Sequence, residues 1–162
     1  MAELLTPQEI FFTEFEPQMA NRFIMYMEGI PTYVVSVAKL PSISMETVVM
    51  DHMNIKRKLK GKADWDDVSV TLYNAITPSS QQAVMEWIRL GHESVTGRDG
   101  YADFYKKDVT FNWVGGPGDK TSEWTLKGAF ISKADFGTAD WGSNDVAKIE
   151  CTITYDYAIL QY

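Results

Sequence analysis

Strict alternation of apolar and polar residues near the C-terminus constrains this chain more than any other pattern. From position 147 to position 157 every second residue is apolar, and the residues between them are charged or hydroxylated. Successive side chains of a β-strand point to opposite faces, so this stretch predicts a strand with one buried and one wet face. The apolar set is Ala147, Ile149, Cys151, Ile153, Tyr155 and Tyr157, and the polar set is Lys148, Glu150, Thr152, Thr154 and Asp156.

Further strands follow from the same pattern elsewhere. Residues 68–72 alternate valine and leucine with serine and threonine, which predicts a half-buried strand. Residues 109–113 and 124–130 flank the glycine-rich stretch at 115–119, and this arrangement is typical of a β-hairpin. Two apolar runs, 21–27 and 32–39, flank Glu28-Gly29-Ile30-Pro31 and predict another hairpin at the start of the fold.

A single stretch has helical periodicity. Thr77-Pro78-Ser79-Ser80 offers a cap and a proline for the first turn, and apolar residues then recur at helical spacing up to Gly91. Six or seven strands with one amphipathic helix predict a mainly β fold, an antiparallel sandwich or barrel with the helix on its flank. An open sheet with long strands leaves exposed edges, and joining the sheets of several subunits would cover them.

Composition indicates one domain spanning residues 1–162. The chain is 45% hydrophobic and carries a net charge of −7, which argues against general binding to nucleic acid or to anionic membranes. Residues 1–20 form an acidic segment interrupted by prolines, and we expect a loosely structured arm there. The sequence has neither the pattern of a signal peptide nor an apolar run of the ~20 residues that a spanning helix needs, so we expect a soluble protein made in a reducing cytoplasm.

The residue pattern does not predict an enzyme, a cofactor or a metal site. The glycines at 115–119 lack the Lys-Ser/Thr ending of a phosphate-binding loop and lie between strands. His52 and His92 have no nucleophile in a recognisable setting, and Cys151 belongs to the apolar face of a strand.

Residues 56–62 contain five of the fifteen basic residues, and three aspartates follow at positions 64, 66 and 67. Residues 45–62 have no steady apolar period, so we predict an extended loop at 47–62 that leaves the core. The loop could contact phosphate as part of a nucleic-acid-binding module, or it could bind acidic groups on another copy of the chain. Trp65, set among charges, would cover either its own core or a groove on a neighbouring copy.

Taken in order, these segments resemble the tail tube proteins of contractile-tailed bacteriophages. The resemblance covers nearly the whole chain, and its best marker is the middle block, where a basic segment, a glycine, an aromatic-Asp-Asp group and an alternating strand follow one another. The matching segments run from Asn21-Arg22-Phe23 through Leu40-Pro41, then Met53-Asn54-Ile55-Lys56-Arg57-Lys58 with Gly61, Trp65 to Asn74, the helix containing Trp87, Trp124 to Phe130, and Ile149 to Tyr157.

The resemblance implies a structural protein of the virion. Six copies would form a ring whose sheets join into one continuous barrel, and stacked rings would make a tube that conducts DNA without specific binding. Sheath, baseplate and tape-measure proteins would be its partners, and the chain would be synthesised in the host cytoplasm. The same fold builds tubes of secretion systems and injection machines, as well as tube-to-baseplate adaptors, so these remain alternatives.

Two sets of residues follow from this resemblance. Residues 47–62 would be the loop that stacks rings, and the outer face of the alternating strands would line a lumen that is net negative or neutral. The stacking set is Met50, Met53, Ile55, Lys56, Arg57, Lys58, Lys60, Lys62 and Trp65, and the lumen set is Glu150, Thr152, Thr154, Asp156, Lys148, Thr125, Lys127, Ser69 and Thr71.

Overall fold

The computed structural model describes residues 16–162, so most of the expected N-terminal arm lies outside the described residues. Strands dominate the fold, as the alternating patterns predict. The elements in chain order are β1 (Phe23–Tyr26), β2 (Val35–Ala38), β3 (Ser42–His52), β4 (Ile55–Asp66), β5 (Val68–Tyr73), α1 (Ser80–Gly91), α2 (Ala102–Tyr105), β6 (Lys107–Val114), β7 (Lys120–Asp135), β8 (Lys148–Thr154) and β9 (Tyr157–Leu160).

Seven strands form one antiparallel sheet in the order β1-β6-β7-β8-β5-β2, with β9 also paired to β7. The long strand β7 joins two halves of this sheet, because its first part pairs with β6 and β9 and its last part pairs with β8. Between the two parts lies Gly128, whose φ of +65° is a conformation that favours glycine. A side chain at this position would displace the Asp156 carboxylate, so glycine is favoured where the strand passes between the halves.

The core lies on the inner face of both halves. Leu72, Leu126 and Ile149 are at most 1% exposed, as is Met25 from β1. The alternation predicted for β8 is confirmed, since Ile149, Cys151, Ile153 and Tyr155 are all buried.

The predicted alternation fails at its two ends, because Ala147 and Tyr157 are exposed. β8 ends at Thr154, and β9 begins only at Tyr157. Asp156, in the break, donates its backbone N–H to the Lys127 carbonyl. The break changes the phase of the alternation, so that Ala158, rather than Tyr157, contacts the core.

The predicted helix is confirmed as α1. The Ser79 hydroxyl accepts a hydrogen bond from the Gln82 N–H at 3.4 Å and caps the first turn, while Pro78 lies just before the cap rather than inside the turn. Val84 and Trp87 are buried, and Trp87 Nε1 donates to the Tyr105 carbonyl at 2.8 Å. This bond ties α1 to the short helix α2, which the sequence pattern did not predict. Neither helix of the described chain is long and apolar enough to cross a membrane.

The hairpin predicted between residues 21–27 and 32–39 is wrong. β1 pairs with β6 and β2 pairs with β5, so the two strands lie at opposite edges of the sheet. A bridge between Met27 and Ile30 turns the chain, and Ile30 and Val34 then enter the core. The second predicted hairpin is confirmed: β6 and β7 pair across the glycine-rich turn, where Gly115 N–H donates to the Asp119 carbonyl at 2.8 Å.

Candidate assembly surfaces

The basic segment belongs to a long β-hairpin. Within residues 16–162, β3 and β4 pair only with each other, from Ser42 opposite Asp66 to His52 opposite Ile55. Met53, with φ of 52°, and Asn54 make the turn. At a rise of ~3.3 Å per residue, strands of this length reach roughly 35 Å. The prediction of an irregular loop is therefore corrected to a regular two-stranded arm, called the hairpin below (residues 42–66).

A bulge explains why the hairpin shows no steady period in sequence. The pairing register shifts where Gly61 and Lys62 lie opposite the single residue Glu46. A side chain at position 61 would meet the Glu46 backbone oxygen at 3.0 Å, so a glycine fits this crossing point. The extra residue lies in β4, so its side chains change face there: Trp65 lies opposite Ile43 before the bulge, whereas Leu59 lies opposite Val48, on the other face, beyond it.

Beyond the bulge the hairpin has two chemically different faces. One face pairs Lys60, Lys58 and Lys56 with Thr47, Val49 and Asp51, so it carries three aligned lysines. The other face pairs Val48 with Leu59, Met50 with Arg57, and His52 with Ile55. Its apolar side chains are about half exposed or more, and an exposed apolar face of this kind is typical of an interaction surface. Their exposed fractions are Val48 49%, Met50 54%, Ile55 68% and Leu59 50%.

The base of the hairpin is anchored to the body of the molecule. Trp65 is half-buried and packs against Tyr155, with 6.0 Å between the ring centroids. The Ser42 hydroxyl donates to Asp66 Oδ2 at 2.8 Å and closes the first pair of strand residues. Of the two uses left open for Trp65, the structure supports covering its own core, so Trp65 does not belong with the exposed stacking residues.

A polar outer face runs across β5, β8 and the end of β7. Register places Ser69 opposite Thr152 and Thr71 opposite Glu150, on the side away from the core. This arrangement brings together six residues of the predicted lumen set: Ser69, Thr71, Lys148, Glu150, Thr152 and Thr154.

The polar face also contains Lys133 and Asp135, which the sequence pattern did not identify. Lys133 lies opposite Thr152, and Asp135 lies opposite Glu150. Together with Lys148 and Glu150, these residues give the face two lysines and two carboxylates. Its charge is therefore balanced rather than acidic. No local pattern could have added these two residues, because they are placed by the pairing of β7 with β8.

Three residues of the predicted lumen set lie elsewhere. Thr125 is only 8% exposed, so its side chain is unavailable to a lumen in this chain. Lys127 Nζ donates to Asp108 Oδ2 at 2.5 Å, and this hydrogen bond raises the pKa of Lys127. Asp156 accepts two hydrogen bonds of 2.9 Å from Lys106. The charges of Lys127 and Asp156 are therefore matched within the chain.

The sheet keeps unpaired strand edges among the described residues. β1 and β2 end the strand order, and β9 has a single strand partner, β7. Apolar side chains are exposed on these strands, with Val37 at 58% and Leu160 at 52%. Exposed edges with apolar side chains favour pairing with another chain.

The described residues offer no assembled catalytic chemistry. No group of three or more His, Cys, Asp or Glu among them could hold a metal ion. Cys151 is buried, and burial raises the pKa of its thiol to about 11, so it lacks the properties of a reactive nucleophile. His92 contacts Asp99 at 2.7 Å on the surface, with no nucleophile in that contact.

This antiparallel sheet, with its packed helix and projecting hairpin, is consistent with the tail tube fold. The chain aligns with the terminating cap of the anti-feeding prophage tube at a TM-score of 0.76, 18% identity and coverage of 93% of this chain and 95% of that one. It aligns with the sheath/tube terminator of the extracellular injection system PVC at 0.73, 23% identity and coverage of 93% and 99%. The PVC sheath-tube complex contains a chain that aligns at 0.67, with 20% identity and coverage of 98% and 99%.

Sequence comparison gives particular relatives. The chain is homologous to tail tube protein gp19 of Enterobacteria phage T4, with 24% identity over 146 residues that cover 87% of this chain and 88% of gp19. The gp19 of phage T6 is 25% identical over the same length. No family model matches the chain. These relatives confirm the predicted resemblance and support a structural, tube-type role rather than an enzymatic one.

Proposed function

We propose that this chain is the structural subunit of a phage tail tube, forming six-membered rings that stack into a channel for DNA. The observation that carries the proposal is the hairpin, whose outer half extends apolar and basic side chains that the described body leaves uncovered. Leaving large apolar side chains in water is unfavourable, so a partner surface is expected. Homology to gp19 over 87% of the chain indicates that the partner is another copy.

Ring formation would use the strand edges. A closed ring repeats one interface, so an edge at one side of the sheet would pair with a different edge of the next subunit. The unpaired sides of β1, β2 and β9 supply such edges. Pairing them would join the sheets of six subunits into a continuous barrel and remove the exposed edges.

The polar face of β5, β8 and β7 would then line the channel. Its threonines and its balanced charges offer DNA phosphates no excess of positive charge. A lining of this kind lets a polyanion pass without adhering to the wall. The lining residues of the proposal are Ser69, Thr71, Lys133, Asp135, Lys148, Glu150, Thr152 and Thr154.

The assembly would be the tube of a virion, made from subunits synthesised in the host cytoplasm. We propose that sheath and baseplate proteins contact the assembled tube and that a tape-measure protein occupies its lumen. The chain would act in it as a single domain, with the N-terminal residues as an arm.

A second candidate is a ring that terminates the tube. The TM-scores of 0.76 and 0.73 belong to a tube-terminating cap and a sheath/tube terminator, whereas the chain from the sheath-tube complex scores 0.67. A terminating subunit would form rings, yet it would not stack on itself into long tubes. The length of the assemblies made by the purified protein separates this candidate from the main tube subunit.

Shortening the hairpin tests the stacking role. Replacing residues 49–58 with Asn-Gly would join the paired residues Val48 and Leu59 through a two-residue turn and keep the bulge and Trp65 in place. The expected result in negative-stain microscopy is single rings where the unaltered chain forms tubes. Long tubes from the shortened chain would contradict a stacking role for the hairpin.

The unaltered chain and the chain with the shortened hairpin also test whether the hairpin binds nucleic acid. A DNA-binding hairpin would give the unaltered chain salt-sensitive affinity for duplex DNA, and the shortened chain would lose it. We expect neither protein to bind duplex DNA at low salt.

A further inference from the structure

The connection between β7 and β8 carries an exposed apolar patch. Trp141, at the tip of this connection, is fully exposed, and Val146 is 64% exposed. The connection from β5 to α1 lies beside it, because Asn74 N–H donates to the Ala147 carbonyl at 2.9 Å, and it adds Ile76 at 94%. We call these three side chains, Ile76, Trp141 and Val146, the Trp141 patch. A fully exposed tryptophan and two exposed aliphatic residues on neighbouring connections are typical of an interaction surface.

The surroundings of the patch are acidic. The connection itself, residues 136–147, contains the carboxylates Asp140 and Asp145 and neither lysine nor arginine. Within residues 16–162, neither of these two carboxylates takes part in an ion pair. The outer half of the hairpin has the opposite charge, because residues 47–62 contain five cations and one carboxylate, Asp51. The two surfaces therefore match in both charge and apolar character.

Strand register places the two surfaces at opposite ends of the molecule's central strands. The hairpin enters β5 at Val68, which lies opposite Ile153 of β8. The connection that carries Trp141 enters β8 at Lys148, which lies opposite Tyr73 at the other end of β5. β5 spans six residues from one end to the other, a rise of roughly 17 Å.

We infer that the Trp141 patch is the receiving surface for the hairpin of another copy. The apolar face of the hairpin, with Met50 and Ile55, would cover Trp141 and Val146, while the lysine face would approach Asp140 and Asp145. The contact is heterologous, because two different surfaces at opposite ends of the chain meet, so it propagates from ring to ring without closing on itself. This inference rests on the proposed stacking function and names the surface that the hairpin binds.

A cysteine pair tests the contact directly. Ile55→Cys and Val146→Cys in one chain would form disulfides between copies in oxidised tubes, visible as a ladder of covalent oligomers in a denaturing gel. The native Cys151 is buried and does not compete. Either single variant is the matched control and is expected to give no ladder. Tubes that form normally yet give no ladder with the pair would overturn the receiving surface while leaving the stacking function intact.

Substitution gives an independent readout. Trp141→Ala is expected to raise the concentration needed for tube formation at least about tenfold, because truncating a buried interface tryptophan typically costs a factor of this size or more. The control is Phe104→Ala, which removes another exposed aromatic side chain at 64% exposure, from α2. Circular dichroism checks that both variants fold. An unchanged assembly concentration for Trp141→Ala would overturn the inference. Cross-linking of the hairpin to the N-terminal residues of another copy, rather than to the Trp141 patch, would also overturn it. Failure of the unaltered chain to form any tube would count against the proposed function itself.

Discussion

The body of the molecule and its hairpin use the same kinds of residue for opposite purposes. On the core-facing side of strands β5 and β8, valine, isoleucine and leucine are at most 1% exposed, and the polar residues of these strands face outward. In the outer hairpin, the same apolar types are about half exposed or more, with lysines on the reverse face. A strand pattern therefore shows which face is apolar without showing what covers it. The body covers its own apolar face, and we propose that the hairpin needs a second chain.

Truncating one apolar residue in each region should give the largest difference. Leu126→Ala is expected to lower the free energy of unfolding of the monomer by about 2–5 kcal/mol, because Leu126 is buried and leaves a cavity. Met50→Ala should stay within about 0.5 kcal/mol, since its side chain is already half in water. Urea denaturation of both variants measures the difference. A similar loss for Met50→Ala would show that the hairpin packs against its own body.

Substitution of Gly128, where β7 passes between the two halves of the body, should have the next largest effect on the free energy of unfolding. Gly128→Ala combines an unfavourable φ of +65° with overlap of the Asp156 carboxylate, and we expect a loss of about 2–3 kcal/mol. Gly29→Ala is the matched control, because its φ of +83° carries the same conformational cost and no atom lies within 4 Å of the added group. Adding Asp156→Ser to Gly128→Ala should recover part of the loss. A loss no larger than that of Gly29→Ala would show that the Asp156 contact is unimportant.

Alkylation of Cys151 tests whether the core of the body excludes solvent and reagent. Burial raises the pKa of Cys151 from an ordinary value of 9.0 to about 11, so the folded chain holds the thiol proton more tightly than the unfolded chain. This protonation contributes stability below pH 9, which is lost as the pH rises towards 11. At pH 8 the folded chain has roughly a hundredfold less thiolate than the unfolded chain. We expect alkylation by iodoacetamide to be slower by at least this factor, and equally slow after the hairpin is shortened.

Hairpin charges should have the smallest effect on the isolated chain. Changing Lys56, Lys58 and Lys60 to glutamine is expected to alter the free energy of unfolding by less than about 0.5 kcal/mol, because exposed charges contribute little and these three have no ion-pair partner among residues 16–162. Assembly is expected to slow and to lose much of its salt dependence, since complementary charges mainly accelerate association. Light scattering at several salt concentrations measures this rate. The same salt dependence in both proteins would show that the lysines face solvent in the tube.

Local pattern predicts much of the body, and its failures arise where pairing is non-local. β5, β8, the β6–β7 hairpin and α1 follow from alternation, turn residues and capping within each segment. The incorrect hairpin near the N-terminus has the same local features, yet burial of Ile30 and Val34 takes β2 to the far edge of the sheet.

The surfaces were harder to predict than the body. The bulge at Gly61 reverses the phase of β4, so that strand has no single period that a sequence window could detect. Lys133 and Asp135 join the polar face through the register of β7 with β8, and Trp65 could be assigned only by its contact with Tyr155. Each of these features depends on which residues become neighbours after folding.

The placement of the hairpin and the Trp141 patch at opposite ends of β5 and β8 gives any stack built from them a direction. One terminus of the stack would present hairpins with nothing to bind, and the other would present vacant patches. These termini differ in charge, one basic and one acidic, so a protein that starts the tube and a protein that stops it must have different surfaces. Growth can then be initiated at one terminus and halted at the other by separate partners.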